Sequence, residues 1–396
     1  MSTVERDYYC NMKFKYLKID LESKTTYNCH AAKPHAIDFD WLDKNPGQIF
    51  NTDINVLERQ QMLHNERNSS CGQNCWPAED VGAQSPRIYQ QGFLKTHTQT
   101  ITTPEIIDLT IGSDCNLTCS YCCKEYSTAW SRDLINNGDY DISQSDSRFK
   151  ISDKDKILIK IGQKKLKSTE HYQLLLQQIK DYAHGLKKLT VTGGEPLLDN
   201  FLIKSIHNLD LPATTNIEIY SGLGLSHSRF TKLVDDMKTL TNLHLIISAE
   251  GIGKHLRFNR YGNLWIDFDK KIKYLEEHGI SFHFQSQLSN LTIFGYAEFA
   301  KYFSNHVIDT TFVYQPTMMA PYVMDTDSKQ QVIDSIKDLP DSVQHSIKKS
   351  ILPEPTELQR TNTAEFLTQF VSRRPDLDLE IFPKTFVKWL GLSHVV

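Results

Sequence analysis

Cys115-Asn-Leu-Thr-Cys119-Ser-Tyr-Cys122 places three thiols within eight residues at the spacing C-x3-C-x2-C, and Cys123 follows directly. A loop this tight lets three sulfurs converge while the intervening N–H groups point at the same centre, which wraps one face of a metal cluster. A closed zinc site takes four ligands, and the nearest fourth thiol, Cys123, diverges from its neighbour Cys122. Three thiolates with one position left open suit an iron–sulfur cluster that binds a further ligand. Upstream, Glu105-Ile-Ile-Asp-Leu-Thr-Ile-Gly112 reads as a buried strand, so the cysteines lie on a loop at a strand's C-terminal end, where barrel-like α/β folds build their sites. Cys123 itself reads as a buried thiol.

About seventy residues on, Lys188-Leu-Thr-Val-Thr-Gly-Gly-Glu-Pro196 is a β-branched strand running into two glycines, which permit unusual backbone angles and close approach. With Cys115, Cys119, Tyr121 and Cys122 matching C-x3-C-x-aromatic-C, and Gly193, Gly194, Glu195 and Pro196 matching GGEP, the chain resembles the radical S-adenosylmethionine (SAM) superfamily. The resemblance implies that Cys115, Cys119 and Cys122 hold a 4Fe-4S cluster whose open iron is chelated by SAM. It places Gly193, Gly194, Glu195 and Pro196 at the methionyl amino group and Tyr121 near the adenine. It also implies Ser248 on the ribose, Arg260 (in Arg257-Phe-Asn-Arg260-Tyr-Gly262) on the carboxylate, and Asn290 as a further SAM contact. An arginine fork suits a carboxylate bidentately, although an arginine in such a loop is also often only solvated.

The other cysteines, Cys10, Cys29, Cys71 and Cys75, form a separate upstream set, numerous enough to close a site completely. By spacing alone a four-cysteine zinc site and a cluster are equally expected. The text around the last pair, Ser70-Cys71 to Cys75-Trp-Pro-Ala-Glu79 followed by Gly82, Ser85 and Arg87, resembles a SPASM/twitch auxiliary-cluster segment. In that family such segments usually follow the core, whereas here it comes first; twitch-bearing radical SAM proteins that share this order are similar through the Ser127-Thr-Ala-Trp130 stretch as well. The resemblance implies a second, auxiliary 4Fe-4S cluster on the four upstream cysteines. With all four ligating, that cluster would pass or accept electrons or shape the pocket, and would not coordinate substrate.

Composition bounds the rest. The 396 residues, 39% hydrophobic, predict two to three folded units, and 44 Lys+Arg against 48 Asp+Glu leave −4, so no overall basic field favours nucleic acid or anionic membrane. The first twenty residues scatter charge where a signal peptide needs an apolar run, and no stretch approaches a membrane span, so a cytoplasmic location is expected. Structural disulfides are not expected there, which leaves metal or redox chemistry for eight cysteines.

Beyond GGEP, strands at 216–221, 243–248, 280–288 and 310–314 alternate with helices at 226–240, 267–277 and 294–303; a helix over 168–186 precedes GGEP. Six parallel βα units predict an α/β fold, an open partial (βα)6 TIM-like barrel with a small N-terminal cysteine-rich auxiliary-cluster domain and C-terminal helices at 325–349 and 356–370. The divisions expected are 1–95 (auxiliary cluster), 96–320 (radical SAM core) and 321–396 (C-terminal helices). Residues 88–104 read as a polar linker and 131–168 as an insertion, lid or solvated loop. In Ser281-Phe-His-Phe-Gln-Ser-Gln287, His283, Gln285 and Gln287 share the face opposite Phe282 and Phe284 and would line a cavity; the alternative is an edge strand with His283 solvated.

The expected function is reductive cleavage of SAM to a 5'-deoxyadenosyl radical that abstracts hydrogen from a substrate, with an electron donor such as flavodoxin or ferredoxin as partner. The substrate expected is a peptide or protein residue undergoing oxidative modification. Dehydrogenation of a small alcohol, sugar or aminocyclitol is the alternative, and a non-catalytic iron–sulfur or zinc protein the alternative from another class.

Overall fold

The computed structural model describes residues 8–91, 103–144, 146–153 and 170–393. Its strands run in chain order as β1 (Tyr16–Asp20), β2 (Thr25–Tyr27), β3 (His35–Ala36), β4 (Ile106–Thr110), β5 (Thr118–Cys119), β6 (Lys188–Thr192), β7 (Asn216–Ser221), β8 (Leu243–Ser248), β9 (Arg260–Tyr261), β10 (Ser281–Leu288) and β11 (Ile308–Phe312). Two compact units form: Met1–Gly112 with Lys164–Ile219 and Asp236–Leu243, and Ser113–Gln163 with Tyr220–Asp235 and His244–Val396.

In the first unit β1, β4, β6 and β7 pair side by side in parallel. Because side chains alternate across a strand, the register sorts residues into rows. Leu17, Ile107, Leu189 and Ile217 form one apolar row and Ile19, Leu109, Val191 and Ile219 the next, all buried; Lys18, Asp108, Thr190 and Glu218 form a polar row on the opposite face. The sequence predicts β4 as the first parallel strand, yet β1 pairs with it in parallel. Leu17 and Ile19 extend the apolar face, while Tyr16 Oη donates to Asp108 Oδ2 (2.8 Å) and Lys18 Nζ reaches the same oxygen (3.4 Å). β2 and β3 continue the sheet antiparallel beyond β1.

The helix expected at 168–186 is described as Glu170–Asp181, followed by a single 3-10 turn at Ala183–Gly185. It anchors the upstream chain. The Gln178 side-chain oxygen accepts from the N–H groups of Gln48 and Ile49 (3.0 and 3.2 Å), and Tyr182 Oη accepts from Phe50 N (3.1 Å) while donating to the Gly47 carbonyl (2.5 Å).

In the second unit β8, β10 and β11 pair in parallel. Gln285 lies in register with Ser248 on one side and Asp309 on the other. Phe284 points to the opposite face, fully buried against Phe299 and Phe303. The last strand begins two residues before the expected 310. The expected helix at 325–349 is two, Thr326–Ser335 and Asp341–Ile351, interrupted at Pro340, whose ring removes an N–H and biases its predecessor away from helix. Glu357–Ser372 starts at a capping box, with Thr356 and Gln359 satisfying each other's backbone N–H groups.

The expected loop at 131–168 begins instead with the helix Thr128–Asn137. Trp130, Tyr140, Phe149, Phe366 and Phe370 make one aromatic cluster there, with ring centroids 5.3–6.4 Å apart, so the C-terminal helix packs on the helix that follows the cysteine loop. The remainder of that expectation, at 145 and 154–168, lies outside the described residues. The expected linker at 88–104 opens inside a helix, Pro86–Gln91, and its 92–102 portion also lies outside them. No described helix is long and apolar enough to cross a membrane.

Phe284 supports the strand–helix packing of the second unit, so Phe284→Ala is expected to lower unfolding free energy by about 3–5 kcal/mol, read from urea denaturation followed by near-UV circular dichroism.

Candidate functional site

The loop 115–122 is tied by hydrogen bonds to the helix that follows it. Cys115, Leu117 and Cys119 form a buried patch against which Tyr121 and Cys122 pack. Ser127 Oγ donates to the Leu117 carbonyl (2.6 Å), Thr128 Oγ1 to the Cys115 carbonyl (2.9 Å) and Trp130 Nε1 to the Cys119 carbonyl (3.0 Å). The Ser127-Thr-Ala-Trp130 stretch is thus a scaffold: it caps its own helix through Ser127 and consumes the loop's carbonyls. Leu117 N–H points at Cys115 Sγ (3.4 Å), and β5 pairs Cys119 with Arg260 of β9. Gly224 and Gly262 close over the loop; a Cβ on either would come within 3 Å of Asn116 or Leu117 atoms.

Arg260 is buried, but its fork is already engaged. Its Nε and one terminal nitrogen bind Glu250 Oε2 and Oε1 (2.9 and 2.6 Å), that second nitrogen also reaches Tyr121 Oη, and the other faces Cys119 Sγ at 3.8 Å. Tyr121 Oη donates to Glu250 Oε1 (2.8 Å), which also accepts from Gln287 N (3.3 Å). Burial works most strongly against the charge of Arg260, yet Glu250, Tyr121 and Cys119 together outweigh it and hold the group well above its ordinary range. The carboxylate on the arginine is therefore supplied by the chain. Sequence reasoning passed over Glu250, whose position two residues past the end of β8 was the available signal.

Asn290 is fully buried just past β10. Its Nδ2 donates to the carbonyls of Met318 and Val323 (3.0 and 3.3 Å), and its Oδ1 has no hydrogen-bond partner among the described residues. Ser248 ends β8 beside Gln285, on the face that also carries Asp309.

In the other unit Gly193 follows β6 at φ +144°, and a Cβ there would sit 2.7 Å from the Gly112 carbonyl. That carbonyl accepts from Gly194 N (2.8 Å), which docks the turn onto the end of β4. Glu195 is buried and caps the 3-10 turn Pro196–Leu198, its Oε1 accepting from Leu197 N (3.3 Å).

The same unit holds the upstream set. Cys10, Cys29, Cys71 and Cys75 are all buried in one cluster with Tyr9, Met12, Phe14, Tyr16, Met62 and Trp76. The Glu79, Ser85 and Arg87 of the sequence text form a closed ion pair: Arg87 donates twice to Glu79 (2.9 and 2.7 Å) and once to the Tyr9 carbonyl (2.8 Å), and Ser85 Oγ donates to Glu79 (2.5 Å). This staples the chain just before Cys10 to the helix Cys75–Asp80.

Both sets carry the electrostatic mark of crowded thiols. Burial first, then Cys119, Cys123 and Cys115, push the Cys122 thiol up. Burial and Cys29 push Cys10 up to about 12, and burial raises Cys29. Cys71 donates to the Cys75 sulfur, which raises Cys71 and lowers Cys75 to about 7. None of the eight cysteines is disulfide-bonded. Grouped thiols that discourage each other's ionisation are a donor set that a bound cation would relieve. Among the described residues, no three or more His, Cys, Asp or Glu side chains are arranged to hold a single metal ion.

No family model matches the chain, and no curated protein matches it. Among solved structures it is similar to anSMEcpe with bound AdoMet, at 13% identity and a TM-score of 0.38 over 59% of this chain and 57% of that one. A second structure of native anSMEcpe with bound AdoMet matches at 13% identity and a TM-score of 0.31, covering 52% of this chain and 50% of that one. It is also similar to SuiB of Streptococcus suis, at 13% identity and a TM-score of 0.32 over 87% of this chain and 76% of that one. The chain thus spans between half and three-fifths of the length of these anSMEcpe structures.

Removing one member of the Arg260–Glu250 pair strands a buried charge. Glu250→Leu is expected to cost about 3–5 kcal/mol of stability, and the double variant Arg260→Met/Glu250→Leu to recover much of it, measured by chemical denaturation.

Proposed function

We propose that the chain is a radical SAM enzyme. The observation that carries this reading is the buried patch of Cys115, Leu117 and Cys119 with Cys122 packed against it, the loop's carbonyls tied back by Ser127, Thr128 and Trp130. Three thiols on one loop fit a 4Fe-4S cluster with one iron open to SAM. When bound, that cluster and SAM supply a 5'-deoxyadenosyl radical, which takes a hydrogen atom from substrate.

The chain's own residues bind, orient and exclude water. Gly193 and Gly194 let the GGEP turn lie against the Gly112 carbonyl, and Gly193, Gly194, Glu195 and Pro196 are the proposed contacts of the SAM amino group. Asn290 brings a buried acceptor oxygen, Oδ1, that a SAM N–H could satisfy. Tyr121, tied to Glu250 and Arg260, is held at the loop for the adenine. Arg260 and Ser248 complete the proposed SAM set, with Arg260 meeting a carboxylate only where Glu250 yields it.

Cys10, Cys29, Cys71 and Cys75 are proposed to hold an auxiliary 4Fe-4S cluster that passes or accepts an electron, zinc being the alternative occupant. Their fit rests on burial in one cluster and on backbone N–H groups aimed at the sulfurs, such as Ala31 N to Cys29 Sγ (3.4 Å). The proposed frame is a partial barrel over 96–320, with an auxiliary region at 1–95 and helices at 321–396.

The proposed substrate is a residue within a peptide or protein, oxidised in a cytoplasmic setting, with a flavodoxin- or ferredoxin-type partner as the electron donor for SAM cleavage. The face bearing Gln285, Gln287 and Asp309 supports it by offering hydrogen-bonding groups to peptide amides.

The test is anaerobic reconstitution with iron and sulfide, then SAM and dithionite. Wild type is expected to hold about eight irons and release 5'-deoxyadenosine, while Cys115→Ala/Cys119→Ala/Cys122→Ala holds about four and releases none. A cluster-loaded wild type that neither releases 5'-deoxyadenosine nor binds SAM would overturn the reading in favour of a non-catalytic metal protein.

A further inference from the structure

Lys13 carries an ammonium group at 0% exposure in the short helix Asn11–Lys15, three residues after Cys10. Its Nζ donates to Asn28 Oδ1 (2.5 Å), Ser70 Oγ (2.8 Å) and Glu58 Oε2 (2.6 Å). Asn28 immediately precedes Cys29, and Ser70 immediately precedes Cys71. One cation thus bonds the residues next to two cysteines while sitting one helical turn from a third. Ser70 passes the tie onward, donating to Asn68 Oδ1 (2.9 Å), which accepts the Cys71 N–H (3.2 Å).

A buried ammonium is a costly way to join three segments, because an apolar side chain of similar length would pack there without losing hydration. What methionine at this position could not do is satisfy three acceptors from three segments at once and place a positive charge among the residues next to Cys29 and Cys71. The counter-charge of Lys13, Glu58, lies on the helix Asp53–Leu63.

We infer that Lys13 is a positioning residue for the four-cysteine site, drawing together the segments that carry Cys10, Cys29 and Cys71 before metal binds and raising the reduction potential of the cluster they hold. The inference rests on the proposed auxiliary iron–sulfur site. Its mechanism is electrostatic: a fixed positive charge near a cluster stabilises the reduced, more negative form.

The full chain carrying Cys115→Ala/Cys119→Ala/Cys122→Ala is the parent for the test, so that only the upstream site contributes signal. After anaerobic reconstitution, iron per chain and the midpoint potential are measured by a dithionite titration followed by electron paramagnetic resonance. Lys13→Met is expected to lose about tenfold or more in metal affinity, seen as incomplete iron loading, and to shift the remaining cluster to a more negative potential. Glu58→Gln keeps a hydrogen-bonding side chain but deletes the opposing charge, so it should load fully and shift to a more positive potential. Should Lys13→Met fail to fold, the sign of the Glu58→Gln shift still decides. A Lys13→Met protein with the parent's iron and potential, or a Glu58→Gln potential that is unmoved or more negative, overturns the inference. A parent that holds zinc or no metal overturns the iron–sulfur reading itself, and this inference with it.

Discussion

Burying several thiols side by side sets the constraint to which much of this structure answers. A lone buried thiol is a small apolar group, but neighbouring ones that must ionise together repel each other and lose hydration. Around Cys122 and around Cys10 and Cys29 this shows as thiols pushed upward by burial and by one another. The chain brings N–H groups and cations towards the sulfurs and ties nearby carbonyls to side-chain donors. Ser127, Thr128 and Trp130 consume the carbonyls of the downstream loop, and Arg260 turns a guanidinium nitrogen towards Cys119. In the upstream set Lys13 and the Arg87–Glu79 pair lie among the cysteine-bearing segments.

The strands β4, β6 and β7 were legible because their apolar residues recur with a period of two. Leu17 and Ile19, Ile107 and Leu109, Leu189 and Val191, Ile217 and Ile219 all face one way, and a single-residue slip would have turned every one into the polar row. The same periodicity placed Phe284 in the core and Gln285 opposite it. Pairing was less legible than existence. Alternation in Tyr16–Asp20 says that a strand is there, while its partnership with β4 depends on Tyr16 and Lys18 meeting Asp108 across some ninety positions of sequence. The cysteine loop was legible because its ligands are local, and for the same reason the turn at Gly193 was.

What the sequence hid are partners that come from far away. Glu250 meets Tyr121 across 129 positions, and Lys13 meets Glu58 and Ser70 across 45 and 57. No local pattern marks a lysine as buried, since most lysines are solvated, and its value emerges only when three acceptors converge on it. Likewise 131–137 reads as polar in sequence, because its burial comes from Trp130 meeting Phe366 and Phe370 of the C-terminal helix.

The Arg260–Glu250 pair bears on how the proposed cofactor would be received. A guanidinium that waits for a ligand carboxylate in a buried site would be an uncompensated charge whenever the ligand is away, which is among the most destabilising states a protein interior can hold. Glu250 removes that state by offering the same two-oxygen geometry from within the chain. The fork can pass from one carboxylate to another without ever standing unpaired, while Glu250 stays in the pocket beside the newcomer. Glu250 would then turn to its remaining donors, Tyr121 Oη and the Gln287 N–H, and the side chain expected at the adenine would move with the arrival of the carboxylate.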